Sequence, residues 1–217
     1  MSTGRVCWHR TGARHLLVLL PGAQMTPEQM LSQGLLQDVQ RRRLSLDLAL
    51  VDLGQLEWPV LDVPAWLQTE VLQAARGQYA SVWLGGISLG GLLALVQAAR
   101  TPQAVDGLCL LAPYPGSRLT AHAIERAGGL DAWQPSAAQL DDMEFEMWQW
   151  LQQPPATLPV FLGYGSQDRF APGMQAMAHR LPAQARHTVP GGHDWDAWRP
   201  LWQNFLDAGY FPPEAPL

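Results

Sequence analysis

Short apolar runs alternate along the chain with longer stretches in which apolar positions recur every three or four residues. Seven runs read as strands: Val6 to His9, His15 to Leu20, Leu46 to Leu53, Val82 to Ile87, Gly107 to Ala112, Val160 to Tyr164 and Arg186 to Val189. The central ones are almost continuously apolar, as strands covered on both faces must be. The alternation predicts an α/β fold: a mostly parallel sheet with helices on both sides.

The helical segments carry their own signals. Thr26-Pro27-Glu28-Gln29 supplies an N-cap, a proline at the first helical position and a glutamine placed to close a capping box. A helix from there to about Arg43 is predicted, its terminal arginines Arg41, Arg42 and Arg43 complementing the negative end of the helix dipole. Further helices are expected from about Pro64 to Arg76, Leu89 to Arg100 and Pro172 to Leu181. The last helix is the clearest. Trp195, Trp198, Leu201, Trp202, Phe205 and Leu206 form one apolar stripe that would dock on the sheet.

The stretch from Tyr114 to Pro159 breaks the alternation, being far longer than an ordinary connection, and holds two helix-like pieces, Leu119 to Ala127 and Asp141 to Leu151. The reading is therefore one domain over 1–217, with 114–159 as a lid-like insertion. Trp133, Met143, Met147 and Trp148 are placed either to face a substrate or to pack the insertion onto the body, and the pattern fits both.

Composition narrows the chemistry. The chain has 217 residues, 47% of them hydrophobic, which is enough for a core without metal or disulfide support. The net charge of −5 and the scattered basic residues give no nucleic-acid footprint. All 14 basic residues are arginine, so Schiff-base chemistry, a pyridoxal lysine and a P-loop lysine are excluded. Cys7 and Cys109 sit in apolar runs, where free thiols in a reducing, cytoplasmic setting are expected. Met1 to Arg10 lacks the layout of a signal peptide, and Leu16 to Leu20 is far short of the roughly 18 apolar residues of a membrane span.

The sharpest motif is Gly86-Ile87-Ser88-Leu89-Gly90, directly after one strand and directly before a helix. In that context G-x-S-x-G forms a tight turn that presents a serine nucleophile, and the flanking glycines let strand and helix approach. The same glycines would also serve a bare turn or a phosphate cradle. A serine hydroxyl needs a general base, which this arrangement places after an acid later in the chain. Of the six histidines, His9 and His15 precede the serine, His122 lies in the insertion, His179 in a helix and His187 in the final strand. His193, in Gly191-Gly192-His193-Asp194-Trp195, occupies the loop beyond that strand, with Asp194 as the N-cap of the last helix. Asp168 follows the strand Val160 to Tyr164 closely, where it would fix the imidazole tautomer. Glu125, Asp131 and Asp141 fall in the insertion and fit less well. The backbone amides of Leu89 and Ala23 are the expected oxyanion donors, with the Gln24 side chain beside them.

With these residues in view, the chain resembles the α/β-hydrolase superfamily over nearly its whole length outside 114–159. Gly-His-Asp-Trp with Trp198 looks like the end of a putative-esterase branch that includes feruloyl-esterase-like and S-formylglutathione-hydrolase-like enzymes. The resemblance implies Ser88 as nucleophile, Asp168 as acid and His193 as base. Where that family often reads His-Gly-x, this chain has Pro21-Gly22-Ala23, which keeps the backbone donor and loses a side chain. The expected function is hydrolysis of a small or medium carboxylic ester through an acyl-enzyme, without cofactor or metal. A thioesterase or acyltransferase with the same trio, or a binding protein on the same fold, are the competing readings. Metal hydrolysis is a weaker fourth, because His187 and His193 stand without H-E-x-x-H spacing.

Overall fold

A computed structural model describes residues 5–54 and 62–213; the expected span 1–217 thus extends beyond the described residues at both ends. Seven strands form one sheet in the order β1-β3-β2-β4-β5-β6-β7. They are β1 (Arg5–His9), β2 (His15–Leu20), β3 (Leu46–Asp52), β4 (Ser81–Ile87), β5 (Gly107–Leu111), β6 (Val160–Gly165) and β7 (Arg186–Val189). β1 runs antiparallel to β3 and every other pairing is parallel. β2, β4 and β5 are buried almost throughout, which is why their sequences show no polar alternation.

Side-chain alternation along β4 sorts the helices onto the two faces. Trp83 meets Phe205 of α10 (Trp195–Asp207) at 5.7 Å between ring centroids, whereas Gly86, on the opposite face, lies against α5 (Leu89–Arg100). Every residue of α5 from Gly90 to Ala98 is buried. A helix apolar all round must be covered on its outer side too. That cover comes from α3 (Val63–Leu67) and from α8 (Met143–Gln152) of the insertion, which buries Met147, Trp148 and Leu151. Each such burial contributes on the order of 1.5–3 kcal/mol.

Two helices depart from the sequence expectation. The first is broken into α1 (Pro27–Ser32) and α2 (Leu35–Arg41) at Gly34, whose φ of 78° is outside the helical region. The Arg199 guanidinium fills the space where a Cβ would stand and forms an ion pair with the buried Asp38 at 2.8 Å. The second continues α3 through a π-helical turn, Gln68–Leu72, into α4 (Gln73–Arg76). The insertion holds three helices where two were expected: α6 (Arg118–Arg126), α7 (Ala137–Leu140) and α8. The helix expected from Pro172 is α9 (Ala171–His179), between β6 and β7. The capping box at Thr26 and the Asp194 cap are both formed, and Cys7 and Cys109 are free thiols. Among the described residues no helix is long and apolar enough to cross a membrane.

The chain leaves β2 for β3 on one side, then crosses back to place β4 on the other side of β2. Where the winding reverses, the loops after β2 and β4 diverge and open a crevice at the carboxyl edge of the sheet. Leu20 pairs with Gly86, so Pro21-Gly22-Ala23 and Ser88 emerge side by side.

Candidate active site

Ser88 stands between β4 and α5 with φ 53° and ψ −113°, a conformation that side-chain-bearing residues rarely adopt. The packing around it enforces this. A Cβ on Gly86 would overlap the Gly90 carbonyl, one on Gly90 would stand 2.5 Å from the Leu20 carbonyl oxygen, and one on Gly91 would stand 2.7 Å from Pro113 Cβ. The Ser88 N–H donates to Leu111 O at 3.0 Å, and its carbonyl accepts from the Tyr114 N–H at 2.8 Å, clamping the turn onto β5.

His193 Nε2 lies 2.7 Å from Ser88 Oγ, and His193 Nδ1 lies 2.5 Å from Asp168 Oδ2. The Asp168 side chain is wholly buried, while that of His193 retains 13% of its exposure, so the carboxylate is shielded and the imidazole faces the crevice. An ionised carboxylate only accepts, which puts the proton on Nδ1 and leaves Nε2 to accept from the serine hydroxyl. The second carboxylate oxygen accepts from the Phe170 N–H at 2.8 Å.

The loops bearing the acid and the histidine are tied together. Ser166 N donates to Val189 O at 2.8 Å, Gln167 N to Gly191 O at 2.9 Å, and Gly191 N to Gln167 Oε1 at 2.6 Å. A Cβ on Gly165 would stand 2.6 Å from Gly192 O, so glycine there lets the loops touch. Phe170 and Trp198 flank the imidazole edge-on, at 5.1 and 5.3 Å between ring centroids. Gln167 and Phe170 were invisible to sequence reasoning, because nothing local distinguishes them from other loop residues.

The family described as "Putative esterase" matches residues 62–206, a span that contains Ser88, Asp168 and His193. The chain belongs to this esterase family. Ester hydrolysis is the chemistry that membership carries. The fold is that of the α/β-hydrolases, as solved structures show. A ferulic acid esterase is 14% identical with a TM-score of 0.66, over 95% of this chain and 97% of that one. The Paleococcus ferrophilus monoacylglycerol lipase is 14% identical with a TM-score of 0.63, over 95% and 99%. The Shigella flexneri enterobactin esterase is 22% identical with a TM-score of 0.62, over 94% of this chain and 55% of that one. No curated protein matches the chain.

The esterase-family chain places Gly22 against the serine: a Cβ there would lie 3.7 Å from Ser88 Cβ. Gly22 O accepts from Met25 N at 3.1 Å, closing a turn that leaves Ala23 and Gln24 exposed, Gln24 with φ 60°. Leu89 is the first residue of α5, where a helix leaves its amide without an intrahelical partner.

The aromatic and sulfur residues of the insertion are placed differently from a lining. Trp133 and Met147 are buried, Trp133 against Phe145 at 5.7 Å between centroids, and Met143 is half-buried against the same core. Trp148 is buried with its Nε1 donating to Pro115 O at 2.8 Å. Packing α8 over α5 requires this stripe, so it faces the body. A cleft of about 480 Å³ instead opens between Tyr114–Arg118 and Arg169–Gly173, with Tyr114, Arg118, Arg169 and Phe170 among the residues on its walls. Tyr114 and Phe170 meet edge-on at 5.3 Å. Burial, with the nearby Glu144 charge adding to it, holds the Tyr114 phenol above its ordinary pKa. Among the described residues no three His, Cys, Asp or Glu side chains are grouped to hold a metal ion.

Proposed function

We propose that the protein is a serine esterase that works through an acyl-enzyme on Ser88. The observation that carries this is the unbroken chain of bonds from Ser88 Oγ through His193 to the buried Asp168, ending on a serine held in a strained turn. As Ser88 Oγ attacks the ester carbonyl, its proton passes to His193 Nε2, and the Asp168 carboxylate stabilises the imidazolium. The amides of Leu89 and Ala23 face the developing oxyanion; a strained turn on one side and a closed turn on the other support their preorganisation. The imidazolium then protonates the departing alkoxide. A water, deprotonated by the same nitrogen, attacks the acyl-enzyme and returns the serine. The cleft walled by Tyr114 and Phe170 receives one arm of the ester, and the segment 114–159 acts as its fixed wall.

Intact mass after treatment with a small fluorophosphonate tests the reading. A single adduct on the wild type that is absent from Ser88→Ala is expected, with ester turnover reduced about 10³- to 10⁶-fold in the variant. An adduct that persists in Ser88→Ala, or near-normal turnover by it, rules the assignment out.

A further inference from the structure

The chain carries a net charge of −5, yet the cleft walled by Tyr114 and Phe170 is lined by two arginines and, among the described residues, by no carboxylate. Elsewhere arginines meet acids: Arg42 bonds Asp207, Arg76 bonds Asp106, Arg100 bonds Asp62 and Glu146, and Arg180 bonds Asp131. Arg118 and Arg169 have no ion pair among the described residues, and both are exposed on the cleft wall. The neighbouring carboxylate, Glu144, is turned behind Gly116, where it accepts from Ser117 N at 2.7 Å and from Thr120 Oγ1. Its Oε2 is therefore already held by the loop and by α6.

Both arginines stand next to residues that contact Ser88 or His193. The Arg169 guanidinium lies 4.6 Å from the Phe170 ring centroid, and Phe170 touches the His193 imidazole. Arg118 opens α6 four residues after Tyr114, whose N–H bonds the Ser88 carbonyl. A guanidinium presents a planar fork that pairs with a carboxylate through two parallel N–H donors. The geometry points to an acidic substrate: an ester that carries a carboxylate on the arm occupying this cleft, held by Arg118 and Arg169. This rests on Ser88 being the nucleophile.

Paired substrates test it. With the charge on the acyl side, 4-nitrophenyl hydrogen glutarate is compared with 4-nitrophenyl pentanoate; with the charge on the alcohol side, 4-carboxybenzyl butyrate is compared with benzyl butyrate. In one pair kcat/KM is expected to favour the acid by about tenfold or more, a preference that weakens with added salt. The double variant Arg118→Gln, Arg169→Gln should bring that ratio to about one, while Arg126→Gln, on the same helix outside the cleft, keeps it. Glutarate should inhibit pentanoate hydrolysis more strongly than inorganic phosphate does. Ratios near one in both pairs, a ratio that survives the double variant, or equal inhibition by phosphate overturns the carboxylate assignment. Neutral-ester turnover with fluorophosphonate labelling of Ser88 in those cases leaves the esterase reading standing. Loss of both labelling and turnover removes that reading and this one together.

Discussion

Gln167 and Gly191 exchange two hydrogen bonds, the Gln167 N–H donating to the Gly191 carbonyl and the Gly191 N–H donating to Gln167 Oε1. The residue beside the acid is thereby joined to the loop that carries the histidine. Removing the side-chain half should let His193 drift relative to Ser88. Gln167→Leu is expected to lower kcat about 10- to 100-fold with KM little changed, and to cost about 1 kcal/mol of stability. Gln167→Glu, which keeps an acceptor for Gly191, should recover most of the rate. Equal losses in both variants would show that the bond does not position the histidine.

Asp168 has both oxygens engaged, one by Phe170 N–H and one by His193. In Asp168→Asn the amide keeps one acceptor; with that oxygen on Phe170, the NH₂ faces Nδ1 and forces the proton onto Nε2. Turnover should fall about 10⁴-fold with the fold intact. Steady-state kinetics beside a circular dichroism spectrum checks this, and a loss under tenfold contradicts the role.

The Gly86 position has no room for even one methyl group, since a Cβ there would overlap backbone of Gly90 and Gly91. Gly86→Ala should cost several kcal/mol, among the largest effects a single substitution produces. Thermal unfolding measures it; a shift of only a few degrees would mean that strand and helix can part without consequence.

Far from the site, Tyr79 donates to Asp47 Oδ2 at 2.9 Å, while Thr11 N and Oγ1 hold Oδ1 at 2.7 and 2.9 Å. Burial first, then the bond to Asp47, pushes the phenol up from 10.0 to about 12. A value raised on folding means stability that is fully present below pH 10 and lost as pH rises through about 12. Tyr79→Phe should be less stable by about 1–3 kcal/mol at neutral pH and should lose stability less steeply between pH 10 and 12. Urea midpoints across that range decide it.

How far the sequence could be read depended on whether the determinants were local. The strands were legible because double coverage leaves an apolar run, and Ser88, Asp168 and His193 because each follows the carboxyl end of a strand in a fixed order. The break at Gly34 had a local signal, a glycine inside a helical window, but its cause is the Arg199 guanidinium from the far end of the chain. The role of the insertion was undecidable from its stripe, because a helix covering α5 and a helix lining a pocket share one periodicity. Contacts settled where Trp133 and Met147 lie. The cleft walls come from Tyr114, Arg118, Arg169 and Phe170, two short stretches about fifty positions apart that no pattern links.

The bond from Tyr114 N–H to the Ser88 carbonyl constrains how the scaffold can be remodelled. The insertion leaves the sheet after β5 and rejoins it at β6, so a foreign loop could be grafted there without altering the ends of any other strand. Its first residue, however, must bring a backbone donor to the Ser88 carbonyl. Any amino acid but proline supplies one, which makes the graft tolerant of sequence at 114 and intolerant of a single imino acid.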